Sequence, residues 1–301
     1  MASESILMTN PHDEYQYLRL IQSILTTGEE VDGRNGTTLM QFGTQMRYNL
    51  EDNTLPLLTT KQLAWKTCLK ELLWFISGNT DNKVLKAKKV HIWDANGSKS
   101  FLEMRGLSYE EDDLGPVYGH QWRHYNAPYV DCHTDYSNTG VDQLSNIISM
   151  LKDPVERYSR RIILNAWNPC QIEEMALPPC HVFVQFNVNK QDELSCILYQ
   201  RSGDVGLGVP FNIASYSFLT HLLAHHCGLK AKEFIHFIGN THIYANHVHA
   251  LQTQVDGTRE PRPFPSLRFK RKCDSIDDYV FDDFIVEGYQ HHGKIAMEMS
   301  A

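Results

Sequence analysis

A nucleophilic cysteine must be a thiolate, and a thiolate needs positive charge or hydrogen-bond donors beside it. The segment Leu177-Pro178-Pro179-Cys180-His181 offers such a residue: two prolines stiffen the backbone directly before a cysteine at the head of a strand-like run. The plainer reading is a buried thiol beside a turn, since free cysteine packs as a small apolar residue. A second segment runs from Gln200 through Arg201-Ser202-Gly203-Asp204 and Leu207-Gly208 to Phe211-Asn212. Arginine, serine and glycine-flanked amides make an anion cradle, and arginine grips phosphate with two donors. Asn212 stands at a helix start, where a buried amide can read both a donor and an acceptor on a base edge. The alternative is a glycine-rich turn with Asn212 as its N-cap; the density of polar groups counts against it. The third segment, Ser159-Arg160-Arg161, is either a solvated charge pair or a pair of cations reaching an anion in another subunit.

Other polar clusters carry less. His221 and His225 are four apart on a helical stretch, but Leu222 occupies the place where a helical zinc site of that spacing carries its glutamate. His242, His247 and His249 lack a carboxylate at metal-ligand spacing, so no metal is expected in the chemistry. The basic run Arg268 to Lys272 alternates like an exposed strand edge and reads as surface.

These residues must be held by a scaffold, and the hydrophobic pattern outlines one. Apolar positions spaced three and four apart predict a helix from Asp13 to Gly28 and another from Trp65 to Ser77, with Trp65, Leu69, Leu72, Leu73 and Ile76 on one face. A third helix uses Val141, Leu144, Ile148 and Leu151 and stops near Pro154. Strands are predicted at Ile162 to Leu164, His181 to Val188 and Leu194 to Gln200, the last two joined as a hairpin through 189–193. From Ile213 to Cys227 the chain is apolar on every side, as in a buried central helix, and Gly228 ends it. The helices and hairpins do not alternate as βαβ units, which excludes a doubly wound sheet. The expectation is one α+β domain, 13–301, behind a flexible tail, 1–12.

The chain has 301 residues, 28 basic and 36 acidic, a formal charge of −8, and 42% hydrophobic residues. That length and apolar content suffice for a sizeable core. The acidic balance argues against bulk binding to nucleic acid or to an anionic membrane, and no stretch is apolar enough to span a bilayer. The opening Met1 to Ser5 has neither a basic nor an apolar signal region, and the seven scattered cysteines never form Cys-x-x-Cys. Both point to a cytoplasmic protein.

Taken together, several long segments resemble the thymidylate synthase family over nearly the whole chain. They are Pro56 to Lys61, Glu71 to Phe75, His91-Ile92-Trp93-Asp94, Gly115 to Gly119, Gln121 to His124, Arg160-Arg161, Pro178 to His181, Gln200 to Asn212, His242-Ile243-Tyr244, Pro263-Phe264-Pro265 and Met297-Glu298-Met299. The resemblance implies a mixed sheet whose face forms a homodimer interface. It also implies reductive methylation of dUMP to dTMP, with 5,10-methylenetetrahydrofolate as the donor and dihydrofolate as the by-product.

The resemblance further implies a role for each matching residue. Cys180 adds to carbon 6 of uracil. Arg201 binds phosphate and helps to keep Cys180 ionised, and Gln200, Ser202, Gly203 and Asp204 continue that dUMP loop. Asn212 reads the uracil edge, Glu71 organises proton transfer at uracil oxygen 4, Tyr118 lies near the carbon-5 proton, and His181 joins the catalytic set beside Cys180. His242, Ile243 and Tyr244 border the ribose. Arg34 adds to the phosphate site, and Arg160 and Arg161 reach the phosphate of the opposite subunit. Folate meets Ile92, Trp93, Leu177, Asp204, Leu207, Gly208 and Phe211, with Lys61 near its glutamyl tail and Ala301 closing over it. Four stretches depart from the family pattern. The loop Asp32 to Gly36 stands in place of Asp-Arg-Thr-Gly, and Asn240 stands in place of an aspartate. The spacing before Arg160 is stretched by about three residues, and Gln290-His291-His292-Gly293 replaces Asn-Pro-His-Pro.

Three rivals remain. A nucleotide hydroxymethylase would share the scaffold; Asn212 favours a uracil base, and Trp93 favours hydride transfer. A silent dimer retained for binding RNA or protein conflicts with intact Cys180, Arg201, Glu71 and Asn212. A cysteine hydrolase using Cys180 and His181 conflicts with strand geometry, which points neighbouring residues to opposite faces.

Overall fold

The computed structural model describes residues 12–33 and 36–299. Arg34 and Ala301, and the tail apart from His12, lie outside the described residues. In chain order the elements are α1 (Glu14–Thr27), β1 (Glu29–Gly33), β2 (Gly36–Asn49), α2 (Trp65–Ile76), α3 (Asn82–Ala87), α4 (Asp94–Gly97), α5 (Lys99–Met104), α6 (Tyr118–His124) and α7 (Gln143–Lys152). Then come β3 (Ile163–Asn165), β4 (His181–Val188), β5 (Glu193–Asp204), α8 (Gly208–Cys227), β6 (Lys230–Tyr244), α9 (Val248–Gln254), β7 (Ser266–Phe269) and β8 (Phe284–Glu287).

Six strands form one mixed sheet in the order β1-β2-β6-β5-β4-β3, with β5 and β6 parallel and the other neighbours antiparallel. This is the expected α+β architecture. The parallel pair needs a crossover, and α8 supplies it. Being apolar all round, α8 is buried, lying on β5 and β6 with α2 packed against it. Gly228 ends it in the left-handed region at φ 74°, and its N–H caps the Ala224 and His225 carbonyls. The face of β5 and β6 turned away from α8 carries Tyr199 and Phe237, neighbours in register and exposed at 41% and 36%.

Several expectations needed correction. The third helix begins at Gln143: Val141 precedes it, exposed and paired with Tyr125, and Asp142 caps the helix through Ser145 N–H. Strand β5 runs on to Asp204, so the supposed glycine-rich turn is in its first half a strand. Helix α8 starts at Gly208, which puts Asn212 inside its first turns and rules out an N-cap role. Strands β2 and β6 were not expected at all. β2 is largely polar, with only Met46 and Tyr48 fully buried, and β6 interrupts its apolar residues with Lys232, Glu233, His236, Asn240 and His242, so neither shows a clean apolar alternation.

Candidate active site

Cys180 sits where the Pro178-Pro179 run enters β4, pinned from two sides. Its N–H donates to Tyr118 Oη of α6 at 2.8 Å, and its carbonyl accepts from the Arg201 N–H of β5 at 2.9 Å. The Arg201 guanidinium turns back on the same loop, Nε donating to the Pro179 carbonyl and Nη2 to the Pro178 carbonyl, each at 2.9 Å. Burial raises the Cys180 thiol above its usual value, and the Arg201 charge acts the other way without overcoming it. Within one chain the Arg201 charge favours the thiolate but does not outweigh desolvation.

Glu71 of α2 accepts the Trp93 indole N–H at 2.7 Å. Burial pushes this carboxyl up to about 7, while the indole bond pulls it down. The Trp93 ring meets Tyr118 edge-on at 6.2 Å, and the Tyr118 ring lies 5.1 Å from His181. His181 is pushed down to about 3 by burial and is therefore neutral. Its Nε2 faces Asn212 Nδ2 at 2.6 Å, so the imidazole accepts and the amide donates. The Asn212 Oδ1 is buried without a hydrogen-bond partner. Glu71, Trp93, Tyr118, Cys180, His181 and Asn212 thus form one continuous constellation, although they come from α2, the α4 approach, α6, β4 and α8. His181 Nε2 is engaged by Asn212, and among the described residues no hydrogen bond joins His181 to the Cys180 thiol, which counts against the hydrolase reading.

The rest of the cradle lies along β5 and β6. The Gln200 amide is fully committed, its oxygen to His236 Nε2 and its nitrogen to the Ser202 carbonyl, both at 2.8 Å. Gly203 is backed so closely by Ile238 and Val209 that a Cβ would stand 3.0 Å from each. Asp204 accepts from Gly206 N–H at 2.8 Å and pairs in register with His242. Burial lowers the His242 pKa, with Asp204 opposing it, and Nδ1 lies 2.9 Å from Asn240 Oδ1. Ile243 and Tyr244 follow on the same strand end.

Lys61 does not project into solvent. It is buried, its ammonium donates to the Gly206 carbonyl, and burial lowers its pKa to about 8. The buried Glu14 carboxylate holds this segment by accepting from both the N–H and the hydroxyl of Thr59 and Thr60 at 2.6–3.0 Å. Ile92, Leu177, Leu207, Gly208 and Phe211 are each half-buried. His247, set aside in the sequence for want of a carboxylate at metal-ligand spacing, has its Nδ1 3.7 Å from Asp204, and its Nε2 donates to the Glu298 carbonyl at 2.6 Å, bringing the chain end to the Gly206 turn. No spacing rule links residues this far apart in sequence. His221 and His225 instead bond the Thr54 and Arg271 carbonyls, as packing residues do.

Arg160 and Arg161 are exposed, and among the described residues their guanidinium groups make no ion pair. They stand beside β3 at the sheet edge, outside the Cys180 constellation of their own chain.

The family model for thymidylate synthase matches residues 15–301. A thymidylate synthase of Homo sapiens is 56% identical, covering 96% of this chain and 91% of its own length. One from Equine herpesvirus 2 is 54% identical, with 96% and 99% covered. A probable thymidylate synthase of Schizosaccharomyces pombe is 54% identical over 96% of this chain, which spans only 47% of that longer relative.

Proposed function

The chain belongs to the thymidylate synthase family, an enzyme family that transfers a methyl group, and from that premise we propose that it methylates dUMP reductively to dTMP at the Cys180 constellation. The observation that carries this reading is the buried, unpartnered Asn212 Oδ1 beside the Cys180 strand. A buried acceptor without a donor is costly, and the N3–H of uracil supplies the donor. The second Nδ2 proton of Asn212 then reaches uracil oxygen 4, while His181 fixes the amide's orientation.

Cys180 as thiolate adds to carbon 6, and the displaced π electrons pass through carbon 5 towards oxygen 4. Carbon 5, inert in free uracil, becomes nucleophilic. Methylenetetrahydrofolate supplies the one-carbon unit and then a hydride, leaving as dihydrofolate. Glu71, poised near neutrality, moves protons at the oxygen-4 side, and Tyr118 faces the proton lost from carbon 5. Expulsion of the Cys180 thiolate restores the ring double bond. Trp93 both donates to Glu71 and shields the exocyclic methylene from water. Arg201 grips the dUMP phosphate with donors now resting on proline carbonyls, Ser202 and Asp204 line the loop, and His242 and Tyr244 bind the ribose. Lys61 holds the Gly206 turn under the folate.

The same proposal includes a homodimer formed through the sheet face that carries Tyr199 and Phe237. Arg160 and Arg161 then enter the partner's site. Their charge adds to that of Arg201 and offsets the burial that opposes thiolate formation. Cysteine usage favours a reducing cytoplasm. Among the described residues no helix is long and apolar enough to cross a membrane.

The test is an absorbance assay for dihydrofolate with dUMP and methylenetetrahydrofolate. The expected result is turnover by the native chain and near-total loss in Cys180→Ser. A hydroxymethylated nucleotide in place of dTMP would overturn the proposal.

A further inference from the structure

Away from the active site, three different metal-ligand types converge between the start of α3 and the loop 126–141. Asp81, Cys132 and His133 each place one ligand atom within 4.8 Å of the other two. The Cys132 Sγ and His133 Nε2 atoms are 3.7 Å apart. A tetrahedral zinc ion with bonds of about 2.3 Å to sulfur and about 2.1 Å to nitrogen separates those atoms by about 3.6 Å, so the neighbouring cysteine and histidine already hold the required bite.

Each ligand is fixed by its surroundings. Asp81 is the N-cap of α3, with Oδ1 accepting from Lys83 N–H at 2.8 Å. Cys132 N–H donates to Asp113 Oδ2 at 3.0 Å, and the loop is tied by Tyr136 Oη, which accepts from Val130 N–H and donates to the Asp131 carbonyl. The charge is one-sided. The carboxylates of Asp113, Asp81 and Glu110 surround Cys132, with the Lys83 ammonium opposing them. Lys83 is bonded to Glu110, whose Oε1 also lies 2.7 Å from His133 Nε2.

We propose that Asp81, Cys132 and His133 form a binding site for a zinc-class divalent cation, with water as the fourth donor. His133 gives its Nε2 to the ion and keeps its ring proton on Nδ1, and binding releases the Cys132 thiol proton to water. The donor set of thiolate, imidazole and carboxylate suits zinc over magnesium or calcium. The role is structural. The ion would join the loop to α3 beside Asp113, which pairs with Asp81 and accepts from Gly115 N–H at 2.9 Å, on the segment that leads into Tyr118.

The test uses the full chain as Cys180→Ser, so that the active-site thiol is silent, under a phosphine reductant. It is titrated with Co²⁺ as the spectroscopic probe and with Zn²⁺ in competition. One Co²⁺ per chain with a thiolate-to-cobalt band is expected. Adding Cys132→Ala or His133→Gln should abolish the band and weaken binding ~10-fold or more, while Cys170→Ala, which removes an exposed cysteine elsewhere, should change neither. In the otherwise native chain, Cys132→Ala should keep the native rate of dihydrofolate formation, showing that the fold is intact. A band that survives both Cys132→Ala and His133→Gln, or no saturable micromolar binding by the parent chain, overturns the proposal.

Discussion

Burial holds the Glu71 carboxyl at about 7, and the Trp93 indole N–H keeps it from rising further. The bond favours the charged carboxylate, so removing it raises the pKa. Trp93→Phe should therefore move the limb of the kcat/KM pH profile that lies near 7 to higher pH, measured by dihydrofolate formation across a buffer series. A limb that stays in place would show that Glu71 does not set it. Asn212 gives a second residue-scale prediction. Asn212→Asp replaces a donor with an acceptor opposite the base, so preference should shift from dUMP towards dCMP, with about 1–3 kcal/mol lost for dUMP from the mismatched polar contact. Steady-state kinetics with both nucleotides read this directly. Cys180, Arg201, Glu71 and Asn212 could be named as candidates from the sequence because each sits in a long distinctive segment. The bonds from Trp93 to Glu71 and from His181 to Asn212 were not, since each joins residues distant in the chain.

At the scale of elements, α8 positions Asn212 and depends on a clean stop. Gly228 holds φ 74°, where a side chain costs conformational energy, and an added Cβ would meet nothing closer than Lys272 Nζ at 4.0 Å. Gly228→Ala should thus be a purely backbone perturbation of about 1 kcal/mol, seen as a lowered thermal midpoint with the native catalytic rate. A larger loss would point to a steric clash that the geometry does not contain. The periodic elements α1, α2 and α8 were legible because one repeating stripe, or an unbroken apolar run, identifies them. Strand β2 was not: its partners β1 and β6 satisfy its backbone, so its side chains need little apolar alternation.

At the scale of the molecule, the proposed substrate is an anion although the chain has a formal charge of −8, and among the described residues of one chain Arg201 is the arginine that stands at the cysteine. The proposed dimer completes the site with Arg160 and Arg161 from across the interface. Cys180→Ser and the double variant Arg160→Ala/Arg161→Ala should each be severely impaired alone. When the two are mixed and allowed to exchange subunits, heterodimers should regain one whole site of two, giving about a quarter of native activity for random pairing. Activity that fails to recover in verified heterodimers would place these arginines in their own subunit's chemistry, or in none.

The sequence by itself determined the α+β class and the family, and singled out Cys180 as the candidate nucleophile, because these reside in residue order: periodicity, long motifs and the proline-locked entry to β4. It determined the chemistry of single side chains in the same way. Only the tertiary structure decided which of those side chains act on one another. It put Asn212 inside a helix rather than at its cap, used His181 to orient it, buried Lys61 against Gly206, and brought His247 to Asp204. It also gathered Asp81, Cys132 and His133 from separate stretches. The reason is physical: burial and hydrogen-bond partners set a group's charge and orientation, and both come from neighbours in space that no local pattern records.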